Sequence, residues 1–312
     1  MKTVVTGVAG FIGSHLAESL LADGHEVVGV DGFVPYYPRA IKQGNLAAAL
    51  AQPGFRLVEG LVKELELGEV LDGAGQVFHL AAQAGVRASW GREFENYTGH
   101  NLLATQRLFE AAVAAGTPRL VMASSSSVYG DARELPLRED ARCQPVSPYG
   151  VTKLATEQLA YLYGRLHGLP VVSLRYFTAY GPRQRPDMAF HRFLKAARDA
   201  APVHVFGDGE QTRDFTYISD IVAATRAAAD SGRPGYVYNV GGGERLSVNR
   251  VLSLIEGITG RRLEIVREAP QKGDMRDTFA DTGAAARDLG FRSTVSVEAG
   301  LGREWQWLRG LA

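Results

Sequence analysis

Short apolar runs alternate with longer stretches of helical period from the first residue to about Arg175. The runs Thr3–Thr6, Glu26–Val30, Phe55–Glu59, Gln76–Leu80, Arg119–Ala123 and Pro170–Arg175 predict strands, and the stretches Phe11–Ala22, Asn101–Ala115 and Tyr149–Leu166 predict helices. Strands and helices alternating at this spacing predict an α/β fold, a doubly wound parallel sheet covered on both faces, over residues 1–175. Beyond Arg175 the rhythm changes to loops rich in Gly, Pro and Arg, above all Tyr180-Gly181-Pro182-Arg183-Gln184-Arg185-Pro186. Ser219-Asp220 predicts a helix start before Ile221–Ala229, Tyr236–Val240 reads as a strand, and Ser247 is placed to cap a helix over Val248–Ile258. Residues 176–312 are read as a smaller α/β domain that lends elements back to the first, because no linker separates the halves.

Composition removes whole classes of function. The 312 residues carry 34 basic against 34 acidic side chains, and no run of five or six like charges occurs. That balance offers no footprint for nucleic acid and no polybasic patch for a membrane. Cys143 stands alone, so no disulfide framework and no thiolate metal site is expected, and a reducing cytoplasm is the simplest compartment. The opening Met1-Lys2-Thr3-Val4-Val5-Thr6 breaks at Gly7, too short for a signal-peptide core, and no apolar window approaches the roughly 18 residues of a membrane span.

The first strand runs directly into Gly7-Val8-Ala9-Gly10-Phe11-Ile12-Gly13, which opens the first helix. Glycines in that setting allow a tight turn, close backbone approach to a pyrophosphate, and close packing of helix on strand. Asp31 follows at the end of the second strand, where a carboxylate accepts hydrogen bonds from ribose hydroxyls and repels a 2′-phosphate. The expected cofactor is therefore NAD rather than NADP. Tyr149 and Lys153 lie four apart on one helical face. An ammonium beside a phenol favours the phenolate, which makes Tyr149 a candidate base toward an alcohol. The strand ending in Ser124-Ser125-Ser126-Ser127-Val128-Tyr129-Gly130 supplies a hydroxyl for the same oxygen.

With these motifs the chain resembles the extended short-chain dehydrogenase/reductases that act on nucleotide sugars. The resemblance spans nearly the whole chain: the glycine turn, Leu80-Ala81-Ala82, Ser125 through Gly130, Tyr149-x-x-x-Lys153, Arg175-Tyr176-Phe177-Thr178, Gly181-Pro182-Arg183 and Arg213-Asp214-Phe215. It implies a Rossmann domain, with a UDP-sugar held mainly by the second half. It makes Tyr149 the base, Lys153 a partner of both Tyr149 and the nicotinamide ribose, and Ser125 the donor to the reacting oxygen. Gly7, Gly10, Phe11, Ile12, Gly13, Leu80, Ala81, Ala82 and Tyr176 would line the cofactor. It also implies a homodimer closed by a four-helix bundle from the stretches near Asn101–Ala115 and Tyr149–Leu166. One departure is Gly60-Leu61 after the third strand, where many relatives carry an Asp near the adenine.

Which sugar reaction is implied depends on the same comparison. Dehydratases of the family carry Asp-Glu where this chain has Ser126-Ser127, and decarboxylases keep a Glu at Ser127; without those groups the implied chemistry is 4-epimerisation through a transient 4-keto sugar. The stretches Ala84-Gly85-Val86-Arg87-Ala88-Ser89-Trp90 and Tyr180 to Phe190 resemble UDP-glucuronate 4-epimerases more than the UDP-galactose type, which has Asn at Thr178. Arg185 is suited to a sugar carboxylate, with Ser126, Ser127 and Thr178 as hydroxyl donors and Arg87 beside them. A pyrophosphate or surface contact is the alternative for Arg185. Arg213 and Arg276 are the candidates for the diphosphate, or else form structural ion pairs. UDP-glucose or UDP-N-acetylglucosamine 4-epimerisation, UDP-glucuronate decarboxylation, and a non-catalytic nucleotide sensor are the competing readings.

Overall fold

The computed structural model describes residues 1–131, 134–271 and 273–311. Seven parallel strands form the main sheet: β1 (Lys2–Thr6), β2 (Glu26–Asp31), β3 (Phe55–Glu59), β4 (Gln76–His79), β5 (Leu120–Ser125), β6 (Val171–Tyr176) and, after three strands that lie elsewhere, β10 (Val237–Val240). Those three are β7 (Thr178–Tyr180), β8 (Val203–Phe206) and β9 (Thr212–Tyr217); β11 (Glu244–Ser247) and β12 (Ile265–Glu268) follow. The order across the main sheet is β10-β6-β5-β4-β1-β2-β3. The chain therefore winds outward in one direction from β1 to β3 and in the other from β4. The crevice between β1 and β4 is the place where such sheets bind ligands.

Buried strands need apolar residues at successive positions, one for each face. Val4, Val28, Val77, Leu120 and Val171 enter one core layer, while Val5, Val27, Phe78, Val121 and Val172 enter the other. The helices, in chain order, are α1 (Phe11–Ala22), α2 (Arg39–Leu50), α3 (Leu67–Leu71), α4 (Phe94–Tyr97), α5 (Ala104–Ala114), α6 (Pro148–His167), α7 (Ala189–Asp199), α8 (Ile218–Ser231), α9 (Val248–Thr259), α10 (Gly283–Leu289) and α11 (Val297–Arg309). Leu108, Phe109 and Tyr163 of α5 and α6 cover the first layer, and Leu16, Leu20, Ile221 and Ala228 of α1 and α8 cover the second. Thus a helix and a strand from beyond residue 175 complete the main sheet. The remaining strands form two small sheets, β11-β9-β7 and β12-β8.

Two local expectations are corrected. The helix expected after Ser219-Asp220 begins at Ile218, directly after β9, so Asp220 lies inside the first turn. Its carboxylate instead accepts hydrogen bonds from the backbone of Thr294 (2.9 Å) and Val295 (3.2 Å), fastening a distant segment. The stretch Asn101–Ala115 is not one regular helix: Thr98–Leu103 is a wide π-type turn that leads into α5. The extra residue per turn aims Asn101 inward, where Oδ1 accepts from the Gln83 amide (2.7 Å) and Nδ2 donates to the Gln83 carbonyl and to Thr152 Oγ1 (both 3.0 Å). Ser247 does cap α9, its hydroxyl accepting from the Arg250 amide at 3.2 Å.

Candidate active site

A cleft of about 450 Å³ opens at the carboxyl ends of the main-sheet strands. Its floor is the glycine turn. Gly7 adopts φ +72°, and a Cβ on Gly13 would stand 2.2 Å from the Gly7 carbonyl oxygen, so only glycine lets α1 pack this closely on the turn. No side chain caps the start of α1, which leaves its first-turn amides available to an anion. Leu80, Ala81 and Ala82 leave β4 to form the facing wall. Behind them fully buried His79 bridges Thr6 Oγ1 (2.8 Å) and Thr105 Oγ1 (2.9 Å). Burial, helped by the charge of Lys153, lowers the His79 pKa to about 3, so this histidine is a neutral strut.

Asp31 ends β2 at the lip of the cleft. Its carboxylate accepts from the Ala9 amide (3.0 Å) and the Phe33 amide (2.8 Å), tying the glycine turn to the next loop. Gly60, Leu61 and Val62 line the same end without a carboxylate; the nearby Glu59 pairs with Arg39 at 2.6 Å.

Tyr149 and Lys153 both face the cleft from the first two turns of α6. Ser147 caps that helix by accepting from the Gly150 amide (3.1 Å), and Pro148 occupies its first position. A Cβ on Gly150 would lie 2.5 Å from the Ser127 carbonyl, so glycine here seats the helix against the serine turn. In that turn Ser125 Oγ accepts from the Ser127 amide at 3.1 Å, while Ser126 and Ser127 line the cleft with Thr178. Burial pushes the Tyr149 hydroxyl above its ordinary range, and the Ser125 hydroxyl and the Arg185 guanidinium oppose that rise without cancelling it. The lowering expected from Lys153 is not the net direction at Tyr149, and Lys153 Nζ donates instead to the Ala123 carbonyl at 2.8 Å. Burial also lowers the Lys153 pKa to about 8, opposed by Glu157. Tyr176 presents its ring to the cleft and shares a 2.7 Å hydrogen bond with Thr225 behind it.

Arg185 enters on the loop after β7, and that loop is fastened from two sides. The His15 ring donates to the Pro182 carbonyl (2.9 Å), and Arg183 pairs with Glu18 (2.8 Å), so α1 holds one side. On the other, fully buried Glu304 of α11 accepts from the Gly181 amide at 2.9 Å, and burial holds its carboxyl well above the usual carboxylate range. Arg185 lines the cleft and forms a bidentate pair with Asp187, Nε to Oδ1 at 3.0 Å and Nη2 to Oδ2 at 2.9 Å.

The other arginines divide. Arg213 lines the cleft, donating to the carbonyls of Thr212 (2.9 Å) and Arg276 (3.1 Å). The Arg276 side chain does not: it pairs with Asp208 at 3.1 Å and is 62% exposed. Arg87 also lies outside the lining, paired with Asp274 at 2.6 Å and stacked 4.3 Å from the Phe206 ring. Tyr36, Tyr37 and Lys42 line the cleft although no motif singles them out.

Residues 3–241 match the profile of the NAD dependent epimerase/dehydratase family. The chain belongs to this family. An uncharacterized UDP-glucose epimerase of Bacillus subtilis (strain 168), YtcB, is 44% identical over 315 residues, covering 100% of this chain and 99% of its own. A UDP-glucuronate 4-epimerase of Thermodesulfobacterium geofontis (strain OPF15) is 37% identical, covering 97% of this chain and 95% of its own. Among solved structures of the family, the UDP-glucuronic acid 4-epimerase of Bacillus cereus in complex with UDP-glucuronic acid and NAD superposes with a TM-score of 0.98 at 41% identity, over 100% of both chains. The doubly wound sheet expected from the sequence is thus the family's fold. Among the described residues of this family member, no helix is long and apolar enough to cross a membrane.

Proposed function

We propose that this protein interconverts UDP-glucuronate and UDP-galacturonate by NAD-dependent epimerisation at the sugar's C4. The observation that carries the reading is the meeting, at one end of one cleft, of Tyr149, Lys153 and the Ser125 turn with Arg185 and with hydroxyls at the positions where an extra acid or base would drive a different outcome. Membership of the family and likeness to the Bacillus cereus enzyme support it.

The residues present fit NAD. The uncapped start of α1 and a glycine cradle that any Cβ would fill suit a pyrophosphate, and the Asp31 carboxylate at the lip suits ribose hydroxyls and disfavours a 2′-phosphate. NAD when bound accepts a hydride from C4 and returns it. Tyr149 removes the C4 hydroxyl proton and later gives it back, while Ser125 donates to the oxygen that becomes a carbonyl. Arg213 holds the diphosphate; Arg276 would have to leave Asp208 to join it. Arg185, with Ser126, Ser127 and Thr178, anchors the C6 carboxylate. That anchor answers a chemical hazard, because a ketone at C4 is β to the carboxylate and such acids lose carbon dioxide when the breaking bond aligns with the carbonyl π system. Held near the ring plane, the carboxylate has poor overlap.

In this reading residues 1–175 carry NAD and 176–312 mainly the UDP-sugar. A cytoplasmic enzyme and a homodimer belong to the same proposal. Exposed Val151, Leu162 and Leu166 along α6, with Tyr161 and Leu103 beside them, form an apolar face suited to a four-helix bundle. A second reading, UDP-glucose 4-epimerisation, is favoured by the Arg185–Asp187 pair, which neutralises the cation without a substrate carboxylate.

Incubating the protein with UDP-glucuronate, UDP-glucose and UDP-N-acetylglucosamine separately, and resolving the products, tests the assignment. UDP-galacturonate should be the dominant product. Arg185→Ala should raise the KM for UDP-glucuronate, increase the share of decarboxylated pentose product and spare UDP-glucose. Equal effects on both sugars, or a preference of the unmodified protein for UDP-glucose, would establish the second reading instead.

A further inference from the structure

Arg185 does not wait in the cleft as a free cation. The edge of the guanidinium formed by Nε and Nη2 is held by both oxygens of Asp187. Asp187 is held in turn by the Tyr36 hydroxyl, which donates to Oδ2 at 3.3 Å. Tyr36 closes the group, its ring 5.6 Å from the Arg185 guanidinium. The end-on edge, Nη1 with the second hydrogen of Nη2, remains for a ligand. A substrate carboxylate docking there would share one guanidinium with a resident carboxylate on the adjoining edge. Two anions on one cation repel each other, so each is held less tightly than it would be alone.

We propose that Asp187 is a resident competitor for Arg185, which weakens the grip on the substrate carboxylate enough for the sugar to let go, turn its other face and rebind. The inference rests on the UDP-glucuronate reading above. An epimerase must bind both epimers and release the keto sugar from its anchor between them. A maximal grip on the carboxylate would lower the ground state and raise the cost of the turn, which reduces turnover. As the sugar carboxylate leaves, Asp187 compensates the exposed cation, so the turning state is stabilised. The pair also means that a neutral sugar meets a compensated cation. Burial pushes the Asp187 carboxyl up, but the hydrogen bonds and charge of Arg185 outweigh it and hold the carboxyl below its ordinary value, so Asp187 stays anionic at neutral pH.

The test is a comparison of Asp187→Asn, Tyr36→Phe and the double variant, each as the full chain loaded with NAD, with KM and kcat measured on UDP-glucuronate and UDP-glucose. Asn keeps an acceptor for Arg185 and removes the charge. Asp187→Asn should lower the KM for UDP-glucuronate about threefold to tenfold and lower kcat by at least as much, with smaller changes on UDP-glucose. Tyr36→Phe should move KM the other way, about twofold, because the freed carboxylate binds Arg185 harder, and should have no further effect once Asp187 is Asn. A raised or unchanged KM in Asp187→Asn would overturn the inference, since it would make Asp187 only a prop for Arg185. If Asp187→Asn does not fold, Tyr36→Phe decides alone, and an unchanged or lowered KM there refutes the proposal. Failure of the unmodified protein to make UDP-galacturonate would overturn the underlying reading and this inference with it; activity there with no KM shift in the variants overturns the inference only.

Discussion

Replacing Glu157 by Ala should be among the most damaging single changes outside the cleft itself. Glu157 of α6 and Arg175 of β6 form a buried ion pair, their side chains 4% and 5% exposed, with hydrogen bonds of 2.9 and 2.7 Å. Removing one partner of such a pair costs about 3–5 kcal/mol, since the other charge stays buried without compensation. Arg175 would keep the Glu139 carbonyl at 3.1 Å and the Tyr129 ring at 4.6 Å, which places the expected loss near the lower end, about 3–4 kcal/mol. At roughly 2 °C per kcal/mol for a chain of this size, Tm should fall about 6–8 °C. Ser124 also loses its acceptor on Glu157, and Ser124 pairs with Arg175 across β5 and β6, so the serine turn loosens and kcat should fall even far below Tm. Urea midpoints and thermal scans at neutral pH measure the loss. The double variant Glu157→Leu with Arg175→Met removes both charges and should cost less than the single change, under about 2 kcal/mol. A single-variant loss below about 1 kcal/mol, or a double variant as unstable as the single, would refute the argument.

Tyr149→Phe should fold and retain NAD yet lose at least about 10²–10⁴ in rate, measured by product formation; near-normal activity would remove Tyr149 from the chemistry. Lys153, with its pKa lowered to about 8 from 10.5, sheds its proton in the folded chain before the unfolded chain does. Stability of the NAD-free protein should therefore rise with pH from about 8 to about 10.5, by roughly 3 kcal/mol, with the full penalty present below that window. Lys153→Met should flatten that rise in urea midpoints taken on either side of it. Asp31→Asn keeps the side chain's shape and should narrow the preference for NAD over NADP in binding titrations, whereas an unaltered preference would take Asp31 out of cofactor discrimination.

What was legible in the sequence was what local period and local geometry decide. The strands of the main sheet were placed to within a residue or two because a strand buried on both faces needs an unbroken apolar run, while those of the two small sheets were not placed; Phe11–Ala22 was bounded by the glycine turn before it and Asp23-Gly24 after. Tyr149 and Lys153 share a face because four residues make one helical turn. Partners chosen across the fold were not legible. Arg276 turned to Asp208, the ion-pair alternative to holding the diphosphate, and Arg87, expected to face the substrate, turned to Asp274, because a carboxylate brought near by folding captured each one. Tyr36, Tyr37 and Asp187 sit on loops without a period, and nothing along the chain says that residues 36 and 187 meet. Asn101 lay hidden for another reason: a π-type turn keeps a helical composition while it rotates one side chain inward.

The edge strand β10 has a consequence for how the chain is made. It joins the main sheet from residues Val237–Val240, pairing with Ser173–Tyr176 of β6. During synthesis from the N-terminus, β6 emerges more than 60 residues before its outer neighbour. Until then the strand Val-Val-Ser-Leu-Arg-Tyr presents open amides and carbonyls and an apolar surface that α8 has yet to cover, the combination that invites pairing with another nascent copy. A fragment ending at residue 175 would carry that edge permanently and should aggregate, while one ending just past Val240 closes it. The hazard falls in the interval between those two lengths, and crowding of ribosomes on one message would make it worse.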